Sequence, residues 1–244
     1  MRVWRLEDGT QAGQPLTGHD RTVYAVAAAV LPDGTPVIVS GGEDGTVRVW
    51  RLADGTPVGD PLRGHSRGVS AVAVGALPDG TPVIISGGDD GTVRVWRTAD
   101  GTPVGEVATA PGTGVSAVAA GALPDGTPVI ISGGDYGGGD AVRVWRLADG
   151  TPVGEPLPGH DGPVCAVAVG TLPDGTPVII SGDGGLAGLD GTVRVWRLAE
   201  GTPVGDPLNL SQWVQGVVVH GNIIVTAAGY DLAAHQLAVP RPTR

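Results

Sequence analysis

A tryptophan-bearing segment recurs along this chain at nearly constant spacing, and that period restricts the fold more than any other feature. The stretch GTVRVWRLADGTPVG occupies 45–59 and returns almost letter for letter from Gly91, near Asp140 and from Gly191; a clipped copy, MRVWRLEDGT, stands at the N-terminus. Trp4, Trp50 and Trp96 are 46 residues apart, and the next steps, to Trp145 and Trp196, are 49 and 51. A second block, LPDGTPVIIS, starts at Leu77, Leu123 and Leu172, with LPDGTPVIVS at Leu31. A period in this range marks a supersecondary unit that cannot bury its apolar faces alone and must stack on its neighbours.

Within one unit the pattern predicts four short strands. GVSAVAVG (68–75) alternates and is rich in small residues, which suit a crowded centre. Asp79-Gly80 signals a tight turn. TPVIIS (81–86) is a continuous apolar run, as expected of a strand covered on both faces. TVRVWR (92–97) is the third strand, and TPVGEVA (102–108) follows the Asp100-Gly101 turn as the fourth. Pro57 and Pro61, and later Pro203 and Pro207, fall in the fourth strand, so that strand belongs at a sheet edge. The unit therefore reads as a four-stranded antiparallel meander, and radial stacking of such units gives a propeller. Nothing shows a helical period.

Composition fits this reading and narrows function. Gly (43) and Pro (21) are abundant, but they recur at fixed places beside Val/Ile runs, as turn residues do. The net charge is −10 and lysine is absent, which argues against nucleic acid and an anionic membrane surface as partners. No apolar run reaches membrane-helix length, and the N-terminus has no signal-peptide pattern. A single cysteine, Cys165, cannot form an internal disulfide, so the expected compartment is the cytoplasm. The bias toward Gly, Ala, Val, Pro, Asp and Arg, without Lys or Phe, points to a GC-rich bacterial gene.

With its "GH" near one end and a Trp on the third strand, the unit resembles the WD-repeat β-propeller blade; "WR" replaces the usual "WD". That resemblance implies a buried tetrad in each blade that joins the His of "GH", a second-strand Ser, a turn Asp and the Trp. The matching positions are His19, Ser40, Asp44 and Trp50; His65, Ser86, Asp90 and Trp96; and His160, Ser181, Asp190 and Trp196. The unit between keeps Ser132, Asp140 and Trp145, but Pro111 falls where His belongs. The resemblance also implies contact residues on the face that carries the "GH" loops: Tyr24, Glu43, Asp89, Tyr136, Leu186, Leu189 and Trp213. Tyr136 lies in a loop three residues longer than its sisters, and Leu186 and Leu189 lie in one five residues longer.

No residue set reads as catalytic. His160 and Cys165 are five apart, but His160 belongs to a tetrad and Cys165 replaces Ser70 and Ser116 of sister units. Asp33, Asp79, Asp125 and Asp174 are one repeated turn residue, whereas an active site needs a unique constellation. The longer loops lack the ligand spacing of calcium sites. Arg48, Arg94, Arg143 and Arg194 read as stems that lie along the sheet with their heads near carboxylates. No metal or cofactor is expected.

The sequence thus predicts one all-β propeller domain over 1–239 and a tail, 240–244. It comprises a half-blade at 1–16, repeats at 17–62, 63–108, 109–157 and 158–208, and a degenerate repeat at 209–239. Two architectures fit. Strands 2–6 and 11–16 join Val217–Val219 and Ile223–Thr226 to close five blades, leaving a degenerate strand at Ala233 surplus; or the chain is part of a larger array. Met1 stands where the other copies have Val47, Val93, Val142 and Val193, which suggests a start placed inside a longer repeat series. The expected function is a non-enzymatic protein-interaction scaffold, standing alone or as a fragment of a larger bacterial signalling protein; the alternative is a lectin-like propeller with repeated weak sites for glycans or other small ligands.

Overall fold

The computed structural model of the chain is all-β, and it describes residues 1–108, 113–134, 142–184, 191–220, 223–229 and 231–236. Residues 1–16 fold as a hairpin: Trp4 bridges Gln11, the Ala12 amide donates to the Val3 carbonyl, and the Leu16 amide donates to Met1. Five antiparallel sheets follow in chain order. The first comprises β1 (Val23–Val30), β2 (Pro36–Gly42), β3 (Thr46–Arg51) and β4 (Leu62–Arg63). The second comprises β5 (Val69–Ala76), β6 (Pro82–Gly88), β7 (Thr92–Arg97) and β8 (Pro103–Ala108). The third has β9 (Val115–Ala122), β10 (Pro128–Gly134) and β11 (Val142–Arg146). The fourth has β12 (Val164–Thr171), β13 (Pro177–Asp183), β14 (Gly191–Arg197) and β15 (Leu208–Leu210). The fifth has β16 (Val214–His220), β17 (Ile223–Ala228) and β18 (Asp231–Gln236). Every sheet is a meander in sequence order, as the turn chemistry predicts.

The fourth strands depart from the expected regularity, and proline explains how. In the first, third and fourth sheets the edge segment starts with one bridge, Trp50 to Pro57, Trp145 to Pro152 and Trp196 to Pro203. A second proline, Pro61, Pro156 or Pro207, then removes a ladder donor and fixes φ. The segment resumes as two or three residues in β4 and β15, and as the single Val142–Leu157 bridge in the third sheet. The second sheet has Val107 at that position, and β8 there runs unbroken for six residues.

Blade-to-blade packing uses both sides of the second strand. Val83 and Ile85 turn to the following blade and cluster with Val115, Val118, Ile130 and Trp145. Ile84, between them, turns to the preceding blade and clusters with Val37, Val39, Val47 and Val49. All three are 0% exposed. A second-strand glycine sets the closeness of each seam. A Cβ at Gly41, Gly87, Gly133 or Gly182 would lie within 2.8 Å of a γ-carbon of Val69, Val115, Val164 or Val214 on the next blade.

The arc stays open. Of the two expected architectures, closure by the chain ends is not the one formed: β18 occupies the place beside β17, and the 1–16 hairpin packs at the other end, with buried Leu16 against Gly55. A local turn at Gly229 (φ 58°) connects β17 to β18, which costs far less loop entropy than joining distant chain ends.

Overpacking one seam tests this arrangement. Gly87→Val should cost about 1–3 kcal/mol, because the new methyls meet Val115 and Val118. Gly105→Ala, which meets nothing within 4 Å, should leave the thermal midpoint in place. Equal midpoints for the two variants would contradict the seam geometry.

Candidate functional site

The third-strand tryptophan needs an acceptor for its indole N–H once it is buried. Register supplies one. Ser40 lies opposite Arg48 and Ile38 opposite Trp50, so Ser40 is the diagonal neighbour of Trp50 on the same face. Trp50 Nε1 donates to Ser40 Oγ at 2.9 Å, and the same bond joins Trp96 to Ser86, Trp145 to Ser132 and, at 3.1 Å, Trp196 to Ser181.

From the serine the chain of bonds continues outward. Ser40 Oγ is 2.8 Å from His19 Nε2, and His19 Nδ1 is 3.0 Å from both Asp44 oxygens. The carboxylate only accepts, so Nδ1 carries the proton, and in the neutral ring Nε2 accepts from the serine. His65 repeats this with Ser86 at 2.8 Å and Asp90 at 3.1 Å. Asp44 also accepts from the Asp20 and Thr46 amides and from the Thr46 hydroxyl; Ser66 and Thr92 do the same for Asp90. Each network therefore ties the loop arriving from the preceding blade to three elements of the next.

The threonine was not among the expected site residues, although the Asp-Gly-Thr triplet was visible. The same triplet shapes the exposed turns, where Asp33, Asp79, Asp125 and Asp174 each accept from the amide two residues on at 2.9 Å. The glycine of "GH" also has a defined task. A Cβ at Gly18 would lie 2.9 Å from Arg48 Nη1 and from Trp50 Cη2, and Gly64 stands likewise against Arg94 and Trp96.

The fourth blade adds a carboxylate that the sequence reading did not single out. The carboxylate on His160 is Asp183, at 3.0 Å from Nδ1, and it also accepts from the Thr192 amide and hydroxyl. Asp190, the expected partner, lies outside the described residues. Asp183 pairs with Val164 as Gly42 pairs with Val23 and Gly88 with Val69. A Cβ at Gly42 would lie within 3 Å of both His19 Nδ1 and the Asp44 carboxylate. A side chain grown from this strand position therefore reaches the carboxylate's place directly. Asp140 of the third blade is likewise outside the described residues.

Burial and hydrogen bonding act against each other on these groups. Burial pushes the Asp44 carboxyl up, but donors from Thr46, His19 and Asp20 outweigh it and hold the group at about 2. Asp90, with Ser66, His65 and Thr92 as donors, is also held at about 2 against burial, and Asp183 is lowered in the same way by His160 and Thr192. Burial lowers the pKa of His65, and Asp90 offsets this only in part.

A Ser–His–Asp order invites comparison with hydrolases, but Ser40, Ser86 and Ser181 are 0% exposed and each already accepts an indole N–H. His160 has both nitrogens engaged within its tetrad, while Cys165 Sγ faces the Pro163 carbonyl at 3.4 Å. Of the arginine row, Arg94 meets Glu106 on the adjacent strand, while Arg48 and Arg194 lay Nη1 against Gly18 and Gly159. No group of three or more His, Cys, Asp or Glu placed to hold a metal exists among the described residues. They contain no helix long and apolar enough to cross a membrane.

Several expected contact residues do come together. Tyr24 is half-exposed at a bulge in β1, and its ring lies against Gly68, where a Cβ would also meet Asp89 and the Glu43 backbone. Arg21 Nη1 donates to Glu43 at 3.0 Å, and the Ser70 hydroxyl donates to Asp89. Trp213 is 53% exposed but belongs to the fifth blade, at the other end of the arc. Tyr136, Leu186 and Leu189 lie outside the described residues.

Stacked four-stranded meanders with a Trp–Ser–His–Asp network define a β-propeller of the WD-repeat class. The family model "WD domain, G-beta repeat" (WD40) matches residues 11–51, 55–97 and 150–197, and the chain belongs to this family. The unmatched middle unit is the one with Pro111 in place of His. No curated protein matches the chain. Among solved structures it is similar to a computationally designed protein, Ika8, with a TM-score of 0.70 and 24% identity over 97% of this chain. The match spans 64% of that designed chain, and at this identity the likeness concerns the fold alone.

Two measurements check the networks. Asp90→Ala removes the acceptor for four donors and should cost about 1–3 kcal/mol in chemical denaturation; an unchanged midpoint would show that the network carries no stability. Depressed folded-state pKa values mean that the unfolded chain takes up protons first. Stability should therefore decline as pH falls below 6.5, through His65, and again from 3.8 toward about 2, through Asp44 and Asp90. A flat profile over both windows would rule out this linkage.

Proposed function

We propose that the chain is a non-enzymatic cytoplasmic scaffold whose "GH"-loop face receives a protein partner. WD40 repeats commonly mediate protein–protein interaction. The observation that carries the reading is the convergence of Tyr24, Glu43 and Asp89 around Gly68, on a rim between two rigid blades. An aromatic ring flanked by carboxylates suits a partner that brings cationic and apolar side chains. In support, the repeated Ser, His and Asp side chains are bonded to one another in the blade networks. The cytoplasmic setting is supported by the single cysteine of the sequence, which cannot form an internal disulfide.

Affinity capture from cells of the source organism tests the proposal, with three baits compared. A partner retained by the wild-type chain should be retained by Glu200→Ala, an exposed site at the opposite end of the blades. It should bind about tenfold more weakly, or worse, to Tyr24→Ala/Glu43→Ala/Asp89→Ala. Equal retention by all three would move the docking face elsewhere.

A further inference from the structure

An edge strand carries N–H and C=O groups without a ladder partner and is a template for another strand; proline is one device that blunts it. In the first, third and fourth blades Pro61, Pro156 and Pro207 interrupt the edge segment. The second blade has Val107 at that place, and β8 is paired with β7 along its whole length. Backbone parity shows which groups of β8 are left over. The Arg97 amide donates to the Thr102 carbonyl on the β8 side, whereas the Thr98 amide donates to the Pro82 carbonyl on the β6 side. Direction alternates along a strand, so Val93 and Val95 bond toward β8 and Arg94 bonds toward β6. Glu106 lies opposite Arg94, so its amide and carbonyl point away from the sheet. The side chains along this edge form two surfaces. On one, Glu106 pairs with Arg94 yet its side chain stays 43% exposed. On the other, Val107 is buried, and exposed Gly105 leaves open space, since a Cβ there would meet nothing within 4 Å.

We propose that β8 is a strand-addition site for an extended segment of a partner protein with an apolar–basic–apolar order. The basic residue pairs with Glu106 through backbone hydrogen bonds in both directions, as an added antiparallel strand does. Its side chain then lies on the Glu106 face, where a guanidinium or ammonium group extends the charge row that begins with Arg94 and Glu106. Its two neighbours turn to the opposite face, where they cover the open space at Gly105 and lie beside Val107. Charge complementarity favours this occupant over a second copy: the chain has a net charge of −10 and no lysine, so copies repel while a basic segment is attracted. β8 is the last strand of its blade and Tyr24 lies on the first strand of another, so this site does not depend on the docking face proposed above.

A synthetic peptide of alternating valine and arginine is the probe, with alternating valine and glutamate as its control, and fluorescence polarisation reads binding to the full chain. The basic peptide should bind and the acidic one should not. Val107→Pro installs the residue of the sister blades and leaves the charge unchanged; it should weaken binding about tenfold or more. A second comparison leaves the protein untouched. N-methylation of the arginine amides, which face β8, should weaken binding to the same extent, and N-methylation of the valine amides, which face away, should not. The proposal would be overturned by a basic peptide that fails to bind, by an acidic peptide that binds as well, by undiminished binding to Val107→Pro, or by equal binding of the two methylated peptides. A Gly105→Cys chain in a Cys165→Ser background should stay monomeric under mild oxidation; a disulfide-linked dimer formed without peptide would assign the edge to a second copy instead.

Discussion

Trp50, Trp96 and Trp196 each carry one N–H into a seam from which water is excluded, and the structure depends on how that donor is satisfied. A serine on the neighbouring strand accepts it, a histidine accepts from the serine, and an aspartate accepts from the histidine. Every member has a polar partner, so a buried polar chain becomes stabilising in a place where a single unpaired group would be costly. The aspartate lies near the surface and collects amide and hydroxyl donors from the turn, which fixes the loop arriving from the blade before. Strand pairing within a blade and the connection between blades are thereby coupled through one set of bonds.

The seams between blades rest on a different constraint. The second strand is covered on both faces, and a glycine on it admits the first-strand valine of the next blade. Such packing is one-dimensional: each blade is stabilised by its two neighbours, and the ends of an open arc have one neighbour each. This accounts for the distribution of exposed apolar residues, which gather at Val26 in the first blade and at Val218, Ile223 and Leu232 in the last. The last blade also departs from the seam chemistry, with Ala227 in place of glycine and His235 in place of tryptophan.

Repetition assigns the most reactive side chains to structure. Serine, histidine and aspartate sit in hydrogen-bonding order in three blades, buried and bonded to one another. Variation between repeats falls at the rim, where Tyr24 replaces the serine of sister blades and Glu43 and Asp89 face solvent beside it. The rim thus differs from blade to blade beside seams that repeat in the first four blades.

Much of this was readable from residue order. The 46-residue period, the Asp-Gly turns and the proline placement determined the blade and its strand order, because turn chemistry and alternation are local properties. The tetrads of the first two blades were also legible, through the resemblance to the WD-repeat blade. The place of Asp183 on His160 was not, because a carboxylate on the strand and one on a turn can reach the same point in space from different places in sequence. The shortening of the edge strands followed from a second proline whose effect appears only when the ladder is drawn. Whether the arc closes was decided by tertiary structure alone: β18 and the N-terminal hairpin are both third-strand sequences, and which one lies on β17 depends on distance and loop entropy, which no residue pattern encodes.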